Sequence, residues 1–238
     1  MKRIYAYSIS ALILSNALNA GAQDTVYVPL KIHAGIEISG PVIYFTDKNN
    51  LNLEGFLSLD RNEKISILAE GGFSRFNYSQ YNYDYSAHGI FFRAGADYNL
   101  LKPSQSAGKY WAGAGLRYGI SFYSSETPSF HHDNYWGSAS SAIPARNNTA
   151  HFIELTPGVK TELFRNLSIG WTIRLKLLIS GGGGKDLRPI FLPGYGNGGR
   201  TTVANFSYYI VWNIPYKTKR VIMMPEVNHY HDRIPRAV

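Results

Sequence analysis

Apolar and polar residues alternate along eight segments of the chain. The clearest is residues 202–214, whose apolar positions are Ala204, Phe206, Tyr208, Ile210, Trp212 and Ile214. A period of two residues is typical of a β-strand that turns one face to an apolar medium and the other to polar groups. Similar alternation occurs in residues 30–40, 51–60, 64–74, 86–99, 110–122, 151–164 and 167–179. The pattern predicts an all-β fold of about eight strands.

The connections between these segments alternate between short and long. The short ones are residues 60–63 and 165–166, with 100–108 intermediate; the long ones are residues 41–50, 75–85, 124–149 and 180–200. Outer-membrane barrels have short periplasmic turns and longer extracellular loops. We therefore predict a closed antiparallel transmembrane β-barrel of about eight strands with four longer extracellular loops.

A soluble sandwich or lipocalin-like barrel is the alternative, because its strands also alternate when one face packs on a core. Bulky aromatic residues lie near the ends of the predicted strands, as at Trp171, Tyr208 and Trp212. Aromatic side chains gather at both interfaces of a membrane. Their position favours the membrane barrel.

The two ends of the chain differ in composition from the barrel segments. Met1-Lys2-Arg3, an apolar run and Ala20-Gly21-Ala22 follow the order of a cleaved signal peptide, predicted over residues 1–22. The apolar run is short and interrupted by serines, which disfavours a membrane anchor. We expect the barrel over residues 23–216, a periplasmic C-terminal tail over 217–238, and export to the outer membrane of a Gram-negative cell.

The formal net charge of +8 does not indicate a nucleic-acid partner. Two positive charges lie in the signal and a net three in the tail, which leaves a net three in the barrel segments. No basic stripe with stacking aromatics is present, so outer-membrane lipid is the expected contact. The chain has no cysteine, which excludes disulfides and a lipidated cysteine.

The polar faces of the predicted strands carry charges of both signs. An eight-stranded barrel has an interior that side chains fill, so these residues are expected to form a hydrogen-bonded ion network that closes the lumen. A transport path through the same residues is the alternative. The predicted interior set is Glu37, Glu54, Glu70, Arg93, Asp97, Arg117, Glu154, Lys160, Glu162, Arg174 and Lys176.

Two predicted loops contain residue types that occur in metal sites or phosphate-binding loops. Residues 129–133 contain Ser129, His131, His132 and Asp133, but their spacing matches no metal site, and a solvated loop is the preferred interpretation. The glycine run before Lys185 lacks the hydroxyl residue and the helix of a phosphate loop, so a flexible extracellular loop is expected. We predict no catalytic residue, cofactor or metal.

One predicted loop is rich in tyrosine. Aromatic side chains suit contact surfaces, so this loop is a possible recognition site, and a plain hairpin beyond the lipid is the alternative. The residues are Tyr78, Tyr81, Tyr83 and Tyr85.

Several of these segments together resemble a known family. The matching stretches are Phe92-Arg93-Ala94-Gly95-Ala96-Asp97-Tyr98-Asn99, Gly115-Leu116-Arg117-Tyr118-Gly119, His151-Phe152-Ile153-Glu154-Leu155 and Pro193-Gly194-Tyr195. They resemble a family of small outer-membrane β-barrels from Bacteroidota that is classified as a domain of unknown function. The resemblance implies an outer-membrane protein and no particular activity.

A closed lumen leaves the loops, the outer wall and the tail for function. The preferred interpretation is a non-enzymatic structural or accessory subunit of an outer-membrane assembly, with other outer-membrane proteins as partners. A lipid-modifying enzyme with its site at the extracellular rim is the first alternative, and a narrow channel is the second.

Overall fold

The computed structural model describes residues 25–106, 108–135, 137–182 and 189–222. Ten strands and two helices occur in these ranges. The strands are β1 (Thr25–Glu37), β2 (Asn50–Asp60), β3 (Ile65–Gln80), β4 (Tyr83–Asn99), β5 (Tyr110–Asn134), β6 (Gly137–Phe164), β7 (Leu167–Ser180), β8 (Phe191–Leu192), β9 (Gly196–Asn197) and β10 (Thr202–Ile222). The helices are α1 (Ser39–Thr46) and α2 (Pro103–Ser106).

Eight of the strands form a closed ring in the order β1, β2, β3, β4, β5, β6, β7, β10. Each pair with a described register is antiparallel, and neighbours along the chain are neighbours in the ring, apart from the β7 to β10 step. Near the seam between the first and last strands, the Ile38 amide donates to the Tyr208 carbonyl over 2.9 Å. The predicted all-β fold, a closed antiparallel barrel of eight strands, is confirmed.

The barrel is apolar outside and polar inside. On β7 the outward residues from Ile169 to Ile179 are apolar and exposed, whereas the alternate residues Thr172, Arg174 and Lys176 are buried. A soluble barrel would bury the apolar face, so that alternative is wrong. The outward apolar stretch of β7 spans 11 residues, about the length that crosses a bilayer as a tilted strand.

No helix in the described part of the chain is long and apolar enough to cross a membrane.

Two of the predicted long loops are strand instead. Strands β3 and β4 continue to a tight turn at residues 81–82, so residues 75–85 form the end of a hairpin. Strands β5 and β6 likewise cover nearly all of residues 124–149. The alternation fades there because both faces of a strand meet water beyond the membrane, so the sequence pattern could not reveal these extensions.

The loop over residues 41–50 contains most of helix α1. Its first turn is bound by the carboxylate of Glu37, which accepts hydrogen bonds from the amides of Ser39 at 2.8 Å and Gly40 at 2.9 Å. A carboxylate at a helix N-terminus satisfies amides that have no partner within the helix. Glu37 therefore orders the loop after β1.

Part of the predicted extracellular loop over residues 180–200 folds into the barrel. Strands β8 and β9 form a small hairpin in which Leu192 and Tyr195 are fully buried. The Tyr195 ring packs on Phe152 with centroids 5.6 Å apart. We call segment 189–201 the inner cap, and it covers the outer side of the interior. Residues 183–188, with two of the four glycines of the run and Lys185, lie outside the described residues.

Contacts divide the chain into a unit Val28–Lys219 and a unit of Met1–Tyr27 with Arg220–Val238. In the second unit, residues 25–27 and 220–222 are described as strand, and the Arg220 guanidinium lies 3.5 Å from the Thr25 hydroxyl. The predicted signal peptide and residues 223–238 lie outside the described residues.

The last strand runs past residue 216, where the tail was expected to begin. Tyr216 donates to the Asp60 carbonyl over 2.5 Å, and Lys219 contacts Glu63 at 2.6 Å, so long side chains tie this extension to the β2–β3 turn. Strand β10 therefore continues past the expected start of the tail, to Ile222.

Candidate functional site: the barrel interior

Six consecutive strands each contribute one charged side chain to the middle of the interior. We call this set the central ring. Its members, one on each strand from β2 to β7 in order, are Glu54, Glu70, Arg93, Arg117, Glu154 and Arg174. Each occupies an inward position of its strand, so the two-residue period of the strands determines which residues meet. All six side chains are at most 6% exposed.

Arg93 contacts all three glutamates of the central ring. Its Nε lies 2.8 Å from Glu70 Oε2, its Nη1 lies 3.0 Å from Glu154 Oε2, and its Nη2 pairs with Glu54. The guanidinium also lies over the Phe91 ring, 4.8 Å from the centroid. The planar fork of arginine suits such simultaneous contacts with several carboxylates.

Arg174 contacts the same three glutamates from the opposite wall. Its Nη2 lies 2.6 Å from Glu54 Oε1, and its Nη1 lies 3.1 Å from Glu70 Oε2 and 3.0 Å from Glu154 Oε1. Each glutamate is therefore shared by Arg93 and Arg174. Sharing compensates the cost of removing these charges from water, which for an unpaired ion would be several kcal/mol.

Arg117 completes the central ring at Glu70 and extends the ion pairs toward the end of the barrel that carries the short turns. Its Nη1 pairs with Glu70, and its Nη2 lies 3.3 Å from Asp97 Oδ1. Asp97 is partly accessible, with a side chain 16% exposed. The central ring and Asp97 together hold three positive and four negative groups in direct contact.

A second polar cluster lies nearer the short turns. Lys31 Nζ contacts Glu162 Oε2 at 2.5 Å and donates to the Gly108 carbonyl at 2.7 Å. His33 lies between two partners, with Nε2 at 3.1 Å from Asp60 Oδ1 and Nδ1 at 2.7 Å from Asn213 Oδ1. This cluster narrows the interior at the end of the barrel that carries the short turns.

Three residues of this second cluster, Lys31, His33 and Asp60, are not in the interior set predicted from the sequence. Lys31 and His33 belong to β1, whose alternation is weak because Pro29 and Ala34 interrupt the contrast between faces. Asp60 was assigned to a turn, although it is the last residue of β2 and accepts from Ser66 Oγ at 2.7 Å. A strict two-residue count along β1 would have found Lys31 and His33.

The interior has separate cavities on the two sides of the central ring. On the side of the short turns, one of about 50 Å³ borders His33 and Lys160, and one of about 30 Å³ reaches Glu70 and Arg174. On the outer side, a cavity of about 150 Å³ reaches Glu54 and Arg174. Arg174 lines a cavity on each side, so the ion pairs of the central ring lie between them.

The eleven residues predicted for the interior all point inward, but they do not form a single network. Lys160 and Glu162 join the second cluster, where Lys160 Nζ lies 3.5 Å from His33 Nδ1. Glu37 binds the first turn of α1. Lys176 donates to the carbonyls of Gly194 at 2.8 Å and Tyr195 at 3.3 Å. The other seven are the central ring and Asp97.

Similarity to known proteins shows the family of this chain. The profile of a family described as "Domain of unknown function (DUF6048)" matches residues 3–219. This chain belongs to the DUF6048 family. The sequence resemblance to a family without assigned function is thereby confirmed, and the match includes every residue of the central ring.

No curated protein matches this DUF6048 member. Among solved structures, the chain is similar to one titled "Crystal structure of Neisserial surface protein A (NspA)". The two share 10% sequence identity with a TM-score of 0.35, over 82% of this chain and 100% of the other.

The tyrosine-rich hairpin of this DUF6048 member divides into exposed and buried parts. Tyr81 is 97% exposed at the turn, and the rings of Tyr78 and Tyr83 lie 5.5 Å apart. Tyr85 is only 3% exposed, and its hydroxyl lies 3.4 Å from the Phe191 carbonyl of the inner cap. Tyr85 was therefore wrongly included in the contact loop, since its strand position points inward.

Two histidines on β5 and β6 contact hydroxyl groups, one on the β5–β6 hairpin and one on the outer wall of the barrel. His131 Nδ1 lies 2.8 Å from the Ser140 hydroxyl on the facing strand. His151 contacts the Tyr118 hydroxyl at 2.7 Å on the outer wall. No group of three His, Cys, Asp or Glu that could hold a metal ion occurs among the residues that the structure describes.

Proposed function

We propose that this DUF6048 member is a sealed, non-enzymatic barrel of the Gram-negative outer membrane that acts as an accessory subunit of a larger assembly. The single observation that carries the proposal is the central ring, whose side chains contact one another across the lumen. Because the interior charges pair with one another and fill the lumen, the outer surfaces remain for function. The apolar outer wall and the signal-like N-terminus support the membrane location.

The β5–β6 hairpin is the surface that best fits a protein partner. Its strands pair, with two register irregularities, from Tyr123 and Asn148 to Asn134 and Gly137, about 11 residues or roughly 35 Å along β5. Strand β4 supports it only as far as Phe130, which lies opposite Tyr83. The His131 amide also donates to the Asn82 carbonyl in the β3–β4 turn, over 2.7 Å. Past this contact, no third strand pairs with the hairpin among the residues that the structure describes.

A two-stranded hairpin without a core is marginally stable in water. The end of this hairpin is rich in small, uncharged residues, with Ser138, Ala139, Ser140 and Ser141 in succession. Small, uncharged side chains on an extended hairpin suit pairing with a further strand from another protein. The proposed partner is therefore another outer-membrane or surface protein that covers this hairpin.

The test compares tagged chains purified from native outer membranes in mild detergent. One variant replaces residues 126–145 by Asn-Gly, a two-residue turn that joins the paired residues Ser125 and Arg146. The control is Tyr81→Asn on the other hairpin. A mobility shift on boiling shows that each variant has folded.

We expect a partner at fixed stoichiometry with the parent chain and with Tyr81→Asn, and its loss with the shortened hairpin. A parent chain that purifies alone would contradict the accessory role. A partner that stays with the shortened variant would contradict the assignment of the hairpin.

A further inference from the structure

The outer cavity of about 150 Å³ is a second feature, distinct from the β5–β6 hairpin. It lies between α1, the starts of β2 and β10, and the inner cap. At about 30 Å³ per water molecule it has room for about five waters, a volume close to one sugar ring. Polar walls distinguish it from the apolar pockets that hold most small ligands.

The charged groups at this cavity are already matched. Glu54 pairs with Arg93 and Arg174. Glu37 accepts two amides of α1, and Lys176 donates to two carbonyls of the inner cap. Two acids and two bases line the cavity in total, so neither an anion nor a cation finds an uncompensated charge there.

Neutral polar groups at the same cavity are not matched. Ser207 is 7% exposed, and its hydroxyl has no hydrogen-bond partner among the described residues. The half-buried Asn50 and the exposed Asn205 also line the cavity, and their side chains have no hydrogen bond to a described residue. Asn52 uses its Oδ1 to accept from Ser74 at 2.6 Å, which leaves its amide nitrogen as a donor.

The hydroxyl of the buried residue Ser207 and the neighbouring amides offer both donors and acceptors, so they match a ligand that can itself donate and accept. Charged ligands would supply unneeded charge, and apolar ligands would leave the amides unsatisfied. We infer that this cavity, the sugar site, binds an uncharged, hydroxyl-rich sugar ring. The ring could belong to a free saccharide or to the sugar portion of an outer-membrane lipid, since the recognising chemistry is the same.

The test measures saturation-transfer NMR on the full chain in detergent micelles. The neutral probes are glucose, galactose, mannose and N-acetylglucosamine, and the charged probes are glucuronic acid and glucosamine. The variants are Ser207→Leu, which fills the site, and Ser207→Ala, which removes only the hydroxyl. Asn148→Leu on the β5–β6 hairpin is the control.

We expect saturable binding of at least one neutral sugar, weakened at least tenfold by Ser207→Leu and severalfold by Ser207→Ala, and unchanged by Asn148→Leu. The boiling shift verifies folding of each variant, and Ser207→Ala keeps the test valid if Ser207→Leu does not fold. Binding of charged sugars alone, or no neutral sugar bound by the parent chain, would overturn the inference.

The source of the sugar is resolved by analysing chains purified from native membranes. A glycolipid that stays with the parent chain and is lost from Ser207→Leu indicates the sugar portion of a membrane lipid. Neutral-sugar binding by NMR without such a glycolipid indicates a free saccharide. Both results agree with the sugar site and differ only in what delivers the ring.

Discussion

Arg93 on β4 donates from Nη1 to Glu154 Oε2 on β6 over 3.0 Å, across the intervening strand β5. Side chains from strands that are not neighbours can meet in this way only where the barrel is narrow. The contact between Arg174 and Glu70, at 3.1 Å from β7 to β3, spans a larger part of the ring. These two contacts explain why the interior is filled by its own side chains.

Removal of Arg174 should destabilise the barrel. Arg174→Leu leaves Glu54, Glu70 and Glu154 each with one fewer buried positive partner, and loss of one member of a buried ion pair costs about 3–5 kcal/mol. Urea unfolding in lipid vesicles, followed by tryptophan fluorescence, measures the change. Arg146→Leu is the control, because Arg146 is exposed on the β5–β6 hairpin. Equal stability of Arg174→Leu and the parent chain would refute a stabilising role for the central ring.

The Lys219–Glu63 pair should contribute weakly and only above acidic pH. Burial raises the pKa of Glu63, but the hydrogen bond and charge of Lys219 outweigh burial and hold this pKa below its usual value of 4.5. A lowered pKa stabilises the folded state above the unfolded pKa, and the contribution disappears as pH falls through the folded value. Because the Lys219 side chain is 42% exposed, we expect Glu63→Gln to cost less than about 1 kcal/mol.

Unfolding of the parent chain and Glu63→Gln at pH 7 and at pH 3 tests this pH dependence. The difference between the two chains should shrink at the lower pH. A difference that grows on acidification would contradict the assigned direction of the pKa shift.

The inner cap depends on the backbone of Gly194. This residue has φ +75°, and a Cβ there would press on the Phe91 ring. A left-handed conformation costs a non-glycine residue about 1–2 kcal/mol, so Gly194→Ala should loosen the cap and expose segment 189–201 to protease. Gly181→Ala is the control, since its Cβ would meet only ordinary contacts. Equal cleavage rates for the two variants would show that the cap does not need this glycine.

The strand alternation sufficed to predict the barrel because lipid on one side and polar side chains on the other impose a period of two. The same rule assigned Arg93, Glu154 and Arg174 to the interior. It could not assign partners, because contacts across the lumen depend on the stagger of the strands, which a single strand does not encode.

The inner cap and the sugar site leave no two-residue pattern of apolar and polar positions in the sequence. The inward fold of Leu192 and Tyr195 depends on packing against Phe152 and on Lys176 reaching two backbone carbonyls. The sugar site likewise combines Asn50, Ser207 and α1 from distant parts of the chain. Only tertiary structure brings these groups together.

Ion conductance of the full chain in planar bilayers tests the sealed lumen most directly. Insertion is verified independently by the boiling shift of protein recovered from the same vesicles. A sealed lumen should give no current steps above the bare bilayer, for the parent chain and for Gly194→Ala alike, because the central ring lies below the inner cap. Discrete, reproducible steps from the parent chain would contradict the sealed barrel and favour the narrow channel.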